Sequence, residues 1–497
     1  MGVVTAEHAG THTQFVKFGD RLAAGLAHRV GHGEEHQRAL FVAQHHHALA
    51  LAFQCLEALL QLRRAQPEFF DQAVVTYIEK RALDPTFATP PGQRLEILDS
   101  VRDPAVVPLG SSFPAPELFP LDRLGRTLAA AARRIKPQDT LTDLPPGHPE
   151  LRRQIALRYL GLGADVAPDD IIITNGAMEG LNLCLQAVTR PGDLIAVESP
   201  TFYAGLQAAE RLGLKVVEVP SHPREGLNLA ALEQVLNRHP VRACLFMLNY
   251  ANPTGACVPD DGRRQLMALL DRHDVPLIED DVYAELHHGE QAPLCSKALD
   301  RDGRVMHVSS FSKCLAPGFR VGWVAAGRYA DAIRRQKLSF SLATPVALQH
   351  ALADYLKQGG YDRHLRTLRA TLRGQQATLV ADVEAHFPAG TRMAEPEGGY
   401  FLWLELPEVC DTLALHREAL ARAISIAPGP IFSAQREFRN FVRLNFGHPD
   451  TTARTEAVRI VGSTEKEVRR DDGAARTQGP PGDPGPRDQR GRRRQRP

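Results

Sequence analysis

Short apolar runs rich in β-branched residues recur through the middle of the chain, each closed by a polar or glycine-containing turn. Residues 170–174, 193–198, 214–219, 242–248, 275–280, 304–310 and 321–326 are such runs. Most lack the strict alternation of a half-exposed strand, so they read as strands covered on both faces. Helical patterns fill the gaps, for instance at 179–188 and 262–272. This alternation predicts an α/β fold, with a large domain on a mainly parallel seven-stranded sheet. Ligands of such sheets bind beyond the carboxyl ends of the strands. After residue 345 the rhythm changes. Two helical stretches lead to runs at 399–406 and 441–446, which read as strands of a smaller α+β C-terminal domain.

The two ends depart from this rhythm. Residues 1–85 hold one clear helical run, 48–62, stopped by Pro67. Eight of the twenty histidines fall in the first 47 positions. His28, His32 and His36 have helical spacing, but Gly31 and Gly33 interrupt the helix they would need, so no metal site is expected. Residues 462–497 hold ten Lys/Arg, six Asp/Glu, Gly-Pro repeats and the run Arg492-Arg493-Arg494. So little apolar surface predicts a disordered basic tail. The chain thus divides into an N-terminal segment 1–85, a large domain 86–344, a small domain 345–461 and a tail 462–497.

Composition narrows the function classes. The 497 residues are 43% apolar and 24% charged, an ordinary globular balance. Lys+Arg number 59 and Asp+Glu 58, which argues against nucleic-acid binding by bulk charge. Seven scattered cysteines form no Cys-x-x-Cys, so neither a disulfide framework nor a cysteine zinc site is expected. A reducing, cytoplasmic compartment fits. The longest apolar stretch, 48–62, carries Gln54 and Glu57 and is too short to span a bilayer.

The candidate chemistry lies at strand ends. Ser309-Ser310-Phe311-Ser312-Lys313 closes one run, and Pro317-Gly318-Phe319-Arg320 follows. A lysine there, among hydroxyls and an arginine, suits an imine to an aldehyde cofactor whose phosphate Ser310, Ser312 and Arg320 would hold. Ile278-Glu279-Asp280-Asp281-Val282-Tyr283 closes another. Asp280 could hold a protonated pyridine nitrogen and Tyr283 a phenolate oxygen. Asn249-Tyr250-Ala251-Asn252-Pro253-Thr254-Gly255 is a turn that aims Asn252 at the ring oxygen. Thr174-Asn175-Gly176-Ala177-Met178-Glu179 leads into a helix, whose free N–H groups make an anion site. Glu198-Ser199-Pro200-Thr201-Phe202-Tyr203 offers an aromatic to stack on a ring, Phe202 before Tyr203. Singly, each motif is also an ordinary turn or core segment.

Together and in this order, the motifs resemble the fold type I pyridoxal-phosphate enzymes of aminotransferase class I/II, over residues 86–450. The resemblance implies pyridoxal 5'-phosphate as cofactor, amino acid and 2-oxo acid substrates, and a homodimer. By resemblance, Lys313 is the Schiff-base lysine and Asp280 pairs with the pyridine nitrogen. Tyr283 and Asn252 contact the ring hydroxyl. Ser310, Arg320 and the backbone at Gly176, Ala177 and Met178 hold the phosphate, and Phe202 covers the ring. Arg443, in Phe441-Val442-Arg443-Leu444-Asn445-Phe446, grips the substrate α-carboxylate.

A narrower likeness is visible in the segments 113–120, 144–152 and 359–366, which resemble the aminotransferase-like half of MocR/GntR-type regulators. Those regulators join a winged helix-turn-helix to this fold, but residues 1–85 show no such pattern, and specific operator binding is not expected. Thr142 stands where many relatives have a tyrosine, and Ser112 where they often have a glycine. The expected reaction is transamination. The alternative is a regulator that senses pyridoxal phosphate or an amino acid. Decarboxylation, β-elimination and acyl-CoA condensation would use the same Lys313 and Asp280.

Overall fold

A computed structural model describes residues 103–139 and 144–477, with side chains to residue 464. The readings of residues 1–85 and of Thr142 lie outside the described residues.

The continuous apolar runs become strands buried on both faces. These are β1 (Ile171–Thr174), β2 (Leu194–Ser199), β3 (Lys215–His222), β4 (Gly226–Leu227), β5 (Val241–Phe246), β6 (Leu277–Asp280), β7 (Val305–Ser310) and β8 (Gly322–Ala325). They form one sheet in the order β1-β8-β7-β6-β5-β2-β3-β4. Strands β7, β6, β5, β2 and β3 run parallel, while β8 is antiparallel to both its neighbours. The seven-stranded expectation missed β4, a two-residue hairpin partner too short to carry a pattern.

Successive side chains point to opposite faces, and both faces are covered. Ile195 and Val197 pack with the helices α3 (Ala177–Val188) and α4 (Tyr203–Arg211). Leu194 and Ala196 pack with α5 (Leu229–Arg238) and α6 (Asp260–His273). At the β1 end, Ile171 and Ile173 join a third cluster. It includes residues of α1 (Leu121–Ala132), α2 (Pro149–Gly161), α8 (Val346–Lys357) and α9 (Gly360–His386). Helix α7 (Ala330–Phe340) packs beside α3.

The smaller sheet is antiparallel, in the order β11-β12-β10-β9. It comprises β9 (Arg392–Ala394), β10 (Phe401–Glu405), β11 (Ala427–Pro428) and β12 (Phe441–Asn445). Helices α10 (Thr412–Ala421) and α11 (Thr452–Thr477) complete this domain. The start of the expected tail is corrected here, because α11 continues past residue 461 to Thr477; the reading of residues 478–497 lies outside the described residues. Low hydrophobicity shows only that a segment builds no core. A helix already anchored by Ala457, Val458 and Val461 extends at one backbone bond per residue.

Register places the chemistry. Thr174 pairs Gly322, and Gly322 pairs Ser310. Asp280, at the end of β6, lies beside Val308 of β7. The carboxyl ends of β1, β2, β5, β6 and β7 therefore share one edge of the sheet.

Candidate active site

The cradle at the head of α3 depends on close backbone approach. Gly176 has φ +80°, and a Cβ there would run into Arg320 Nη2. A Cβ at Gly322 would meet Ser309 O at 2.7 Å and Gly176 C at 2.8 Å. Ala177 and Met178 open α3, where the first N–H groups have no intrahelical partner. Arg320 Nη1 donates to Ser312 Oγ at 3.2 Å, and the Ser312 N–H donates to Ser310 Oγ at 3.3 Å. The segments carrying Gly176, Ala177, Met178, Ser310, Ser312 and Arg320 thus adjoin one another.

Lys313 is half-buried, and its Nζ donates to Ser112 O at 2.8 Å. The same ammonium lies 3.9 Å from the Phe113 ring centre. Burial pulls its pKa down to about 7, helped by Arg443 and Arg320 and opposed by Asp280. Asp280 is buried, and burial pushes it up to about 7, reinforced by Asp281 and opposed by Lys313 and His307.

Arg443 sits mid-strand on β12, wholly buried. Val442 and Leu444 face the core, so Arg443 and Asn445 face the other way. Arg443 Nη1 donates to Asn252 Oδ1 at 2.8 Å; Nη2 donates to Gly110 O at 2.6 Å and lies 3.3 Å from Ser112 Oγ. Its guanidinium stands 4.2 Å from the Phe401 ring centre. Asn445 Nδ2 donates to Ser111 O and Phe113 O, which fixes the 111–113 loop over Lys313.

Tyr283 is buried edge-on to Tyr400 and Phe401, within electrostatic reach of Asp280 and Arg443. Phe202 is half-buried at the N-cap of α4. Tyr203 is more buried, and its hydroxyl lies 3.4 Å from Ser112 Oγ.

Beneath these groups runs a polar network. Asp281 Oδ2 is 2.9 Å from His307 Nε2, and Asp281 Oδ1 accepts from Asn249 Nδ2 at 3.0 Å. Tyr159 OH lies 2.7 Å from His307 Nδ1, and Trp323 Nε1 donates to Tyr159 OH at 3.0 Å. Arg263 bridges Asn249 Oδ1 and Glu279 Oε1, both at 2.6 Å. Glu279, Cys295 and His307 bring ligand-type atoms within 4.8 Å of one another. The Arg263 charge on Glu279 opposes a cation there, so the group reads as part of the network.

Sequence reasoning missed several contributors. Ser112 was noted only for its position, yet it touches Lys313, Arg443, Tyr203 and Tyr400. Phe113 enters the sequence motifs only as the first residue of the segment 113–120, and Tyr400 only within the run 399–406, neither with a site role. Three buried polar atoms of these site residues find no protein partner among the described residues: Asp280 Oδ1, Asn252 Nδ2 and Arg443 Nε. Asp280 and Arg443 both act electrostatically on Lys313, and Asn252 is bonded to Arg443. The three atoms are an acceptor and two donors. A pyridine N–H, a ring oxygen and a carboxylate would satisfy them, so the residues fit pyridoxal phosphate with an amino acid.

Sheet and site together define the class, a fold type I pyridoxal-phosphate transferase fold. The family follows: residues 120–460 match the model for aminotransferase class I and II, and the chain belongs to that family. It is 46% identical over 372 residues to the uncharacterized HTH-type transcriptional regulator YdcR of Escherichia coli, covering 75% of this chain and 80% of that protein. It is 35% identical to the similarly named YjiR of the same organism, covering 89% of this chain and 97% of YjiR. Among solved structures it resembles LysN, the α-aminoadipate aminotransferase of Thermus thermophilus, complexed with N-(5'-phosphopyridoxyl)-L-leucine. The TM-score is 0.69 at 29% identity, over 74% of this chain and 95% of LysN. Among the described residues, no helix is long and apolar enough to cross a membrane.

Proposed function

We propose that this chain is a pyridoxal-phosphate-dependent aminotransferase, moving an amino group from an amino acid to a 2-oxo acid as a cytoplasmic homodimer. The carrying observation is the geometry around Asn252. Its Oδ1 is fixed by Arg443 at 2.8 Å, while its Nδ2 is left free. One amide thereby joins the carboxylate-binding arginine to the ring-binding position.

Bound pyridoxal phosphate would supply an electron sink for negative charge at the substrate Cα. Gly176, Ala177, Met178, Ser310, Ser312 and Arg320 would hold the phosphate. Asp280 would hold a protonated ring nitrogen, Asn252 and Tyr283 the ring oxygen, and Phe202 one ring face. Arg443 would orient the amino acid by its α-carboxylate. With a pKa near 7, Lys313 would attach the cofactor as a neutral amine, then carry a proton from Cα as general base. The Ser112 carbonyl is placed to hold the lysine once it is protonated.

The test is a screen of amino acids against the absorbance of the cofactor-loaded protein. A spectral half-reaction with release of a 2-oxo acid supports the reading; none with any amino acid defeats it. Borohydride fixation followed by peptide mapping must label Lys313, and Lys313→Ala must lose the label.

A second reading has its own support. The YjiR alignment covers 89% of this chain and so reaches beyond residues 120–460. The same fold would then be the sensor half of a transcriptional regulator. A gel shift with DNA upstream of the chain's own gene decides between the two. A specific shift lost on deleting residues 1–85 favours the regulator.

A further inference from the structure

Behind the cradle lies an ion pair that the catalytic reading leaves unused. Glu179, in the first turn of α3, turns its carboxylate back onto Asn175. Its Oε2 accepts the Asn175 N–H at 2.6 Å, and its Oε1 accepts Asn175 Nδ2 at 3.1 Å. Lys337 of α7, 1% exposed, donates to the same Oε2 at 2.8 Å and to Ser341 Oγ at 3.1 Å. The far side of Asn175 is held by Arg320, whose Nη2 donates to the Asn175 carbonyl at 3.4 Å. The residue preceding Gly176 is thus clamped from both sides.

The charges need explaining. A carboxylate in the first turn is favourable for a bare helix, but not for one whose N-terminus receives a phosphate dianion. Two like charges in a partly dry site repel strongly. A buried lysine is equally costly without a partner. Together the two cancel. Burial raises the Glu179 pKa, but hydrogen bonds from Lys337, Ser341 and Asn175 outweigh it and hold the carboxyl below its usual value.

We propose that Glu179 and Lys337 are a positioning pair for the phosphate of the cofactor. Glu179 fixes Asn175, so that Gly176 and the first N–H groups of α3 face the phosphate. Lys337 neutralises that carboxylate, so that a phosphate dianion can lie beside it. Neither side chain is among the groups that would hold the cofactor. The inference rests on the pyridoxal-phosphate reading and adds to it a charge balance outside the ligand's own contacts.

The experiment titrates the full chain by absorbance with pyridoxal phosphate and with phosphate-free pyridoxal. Lys337→Met should bind pyridoxal phosphate about 10–100-fold more weakly, the scale of a lost charged hydrogen bond, with pyridoxal affinity unchanged. Adding Glu179→Gln to Lys337→Met should restore pyridoxal phosphate affinity, since Gln still offers an acceptor to the Asn175 N–H. Equal losses for both ligands would make the pair merely structural and overturn the proposal. So would wild-type affinity in Lys337→Met. Should that variant fail to fold, Glu179→Gln alone must bind pyridoxal phosphate at least as tightly as the double variant; weaker binding overturns the proposal. Wild-type protein that binds neither ligand would defeat the cofactor reading itself, and this proposal with it.

Discussion

Asp280 and Lys313 bring opposite charges into one buried space, and burial drives each toward its neutral form. The folded pKa of Asp280, about 7, lies above its ordinary 3.8. The cofactor-free fold therefore holds an extra proton between roughly pH 4 and 7, and loses stability as pH rises through that window. Lys313 runs the other way: its folded value of about 7 lies below 10.5, so stability is gained as pH rises from 7 to 10. Asp280→Asn should remove its share of the acid-side slope, so that without cofactor the urea midpoint falls less between pH 5 and 7 than in the wild type. The same variant should keep cofactor binding but lose proton abstraction, because an amide does not balance a protonated ring nitrogen. A loaded variant with near-normal half-reaction rates would remove Asp280 from that role. Arg443→Lys replaces a planar fork by a point charge. Amino acid affinity should fall by about 1.5–3 kcal/mol in absorbance titration, with cofactor affinity changed far less. These residues were legible because each stands in a short local motif: Asp280 at the end of a strand, Lys313 just after one and Arg443 within one. Ser112 and Phe113 were not, since their contacts with Lys313 join distant segments.

At the scale of elements, the strands were the most legible feature. A run buried on both faces must be apolar throughout, and that leaves a local signature. The backbone crossing at Gly322 leaves none, although it seats β8 against the cradle. Gly322→Ala would drive a Cβ into Ser309 O and Gly176 C. A destabilisation of about 1–3 kcal/mol is expected, read as a lower urea midpoint, because backbone on both sides has little room to yield. Wild-type stability would show that the crossing is loose. The end of α11 was misjudged because composition reports core-forming capacity, not the continuation of a helix already docked. Truncation after residue 456 removes the buried Ala457, Val458 and Val461 and should destabilise the chain markedly. Truncation after residue 477 leaves α11 whole and should not, with thermal melting as the measure.

The whole molecule brings the small sheet to the edge of the large one. Arg443 of β12 reaches Asn252 after β5 and the carbonyl of Gly110. A ligand that satisfies Asp280, Asn252 and Arg443 together ties both sheets to the fold. The order of strand-end motifs, the burial of the strands and the family were all written in local sequence. Each rests on a period, a turn residue or a charge within a few positions. Tertiary structure alone decided the rest. It turned β8 antiparallel, placed Lys337 behind Glu179 across 158 positions, set Ser112 between Lys313 and Arg443, and left Asp280 Oδ1, Asn252 Nδ2 and Arg443 Nε buried without a protein partner among the described residues. Such contacts depend on how whole elements stack, and spacing along the chain carries no record of that.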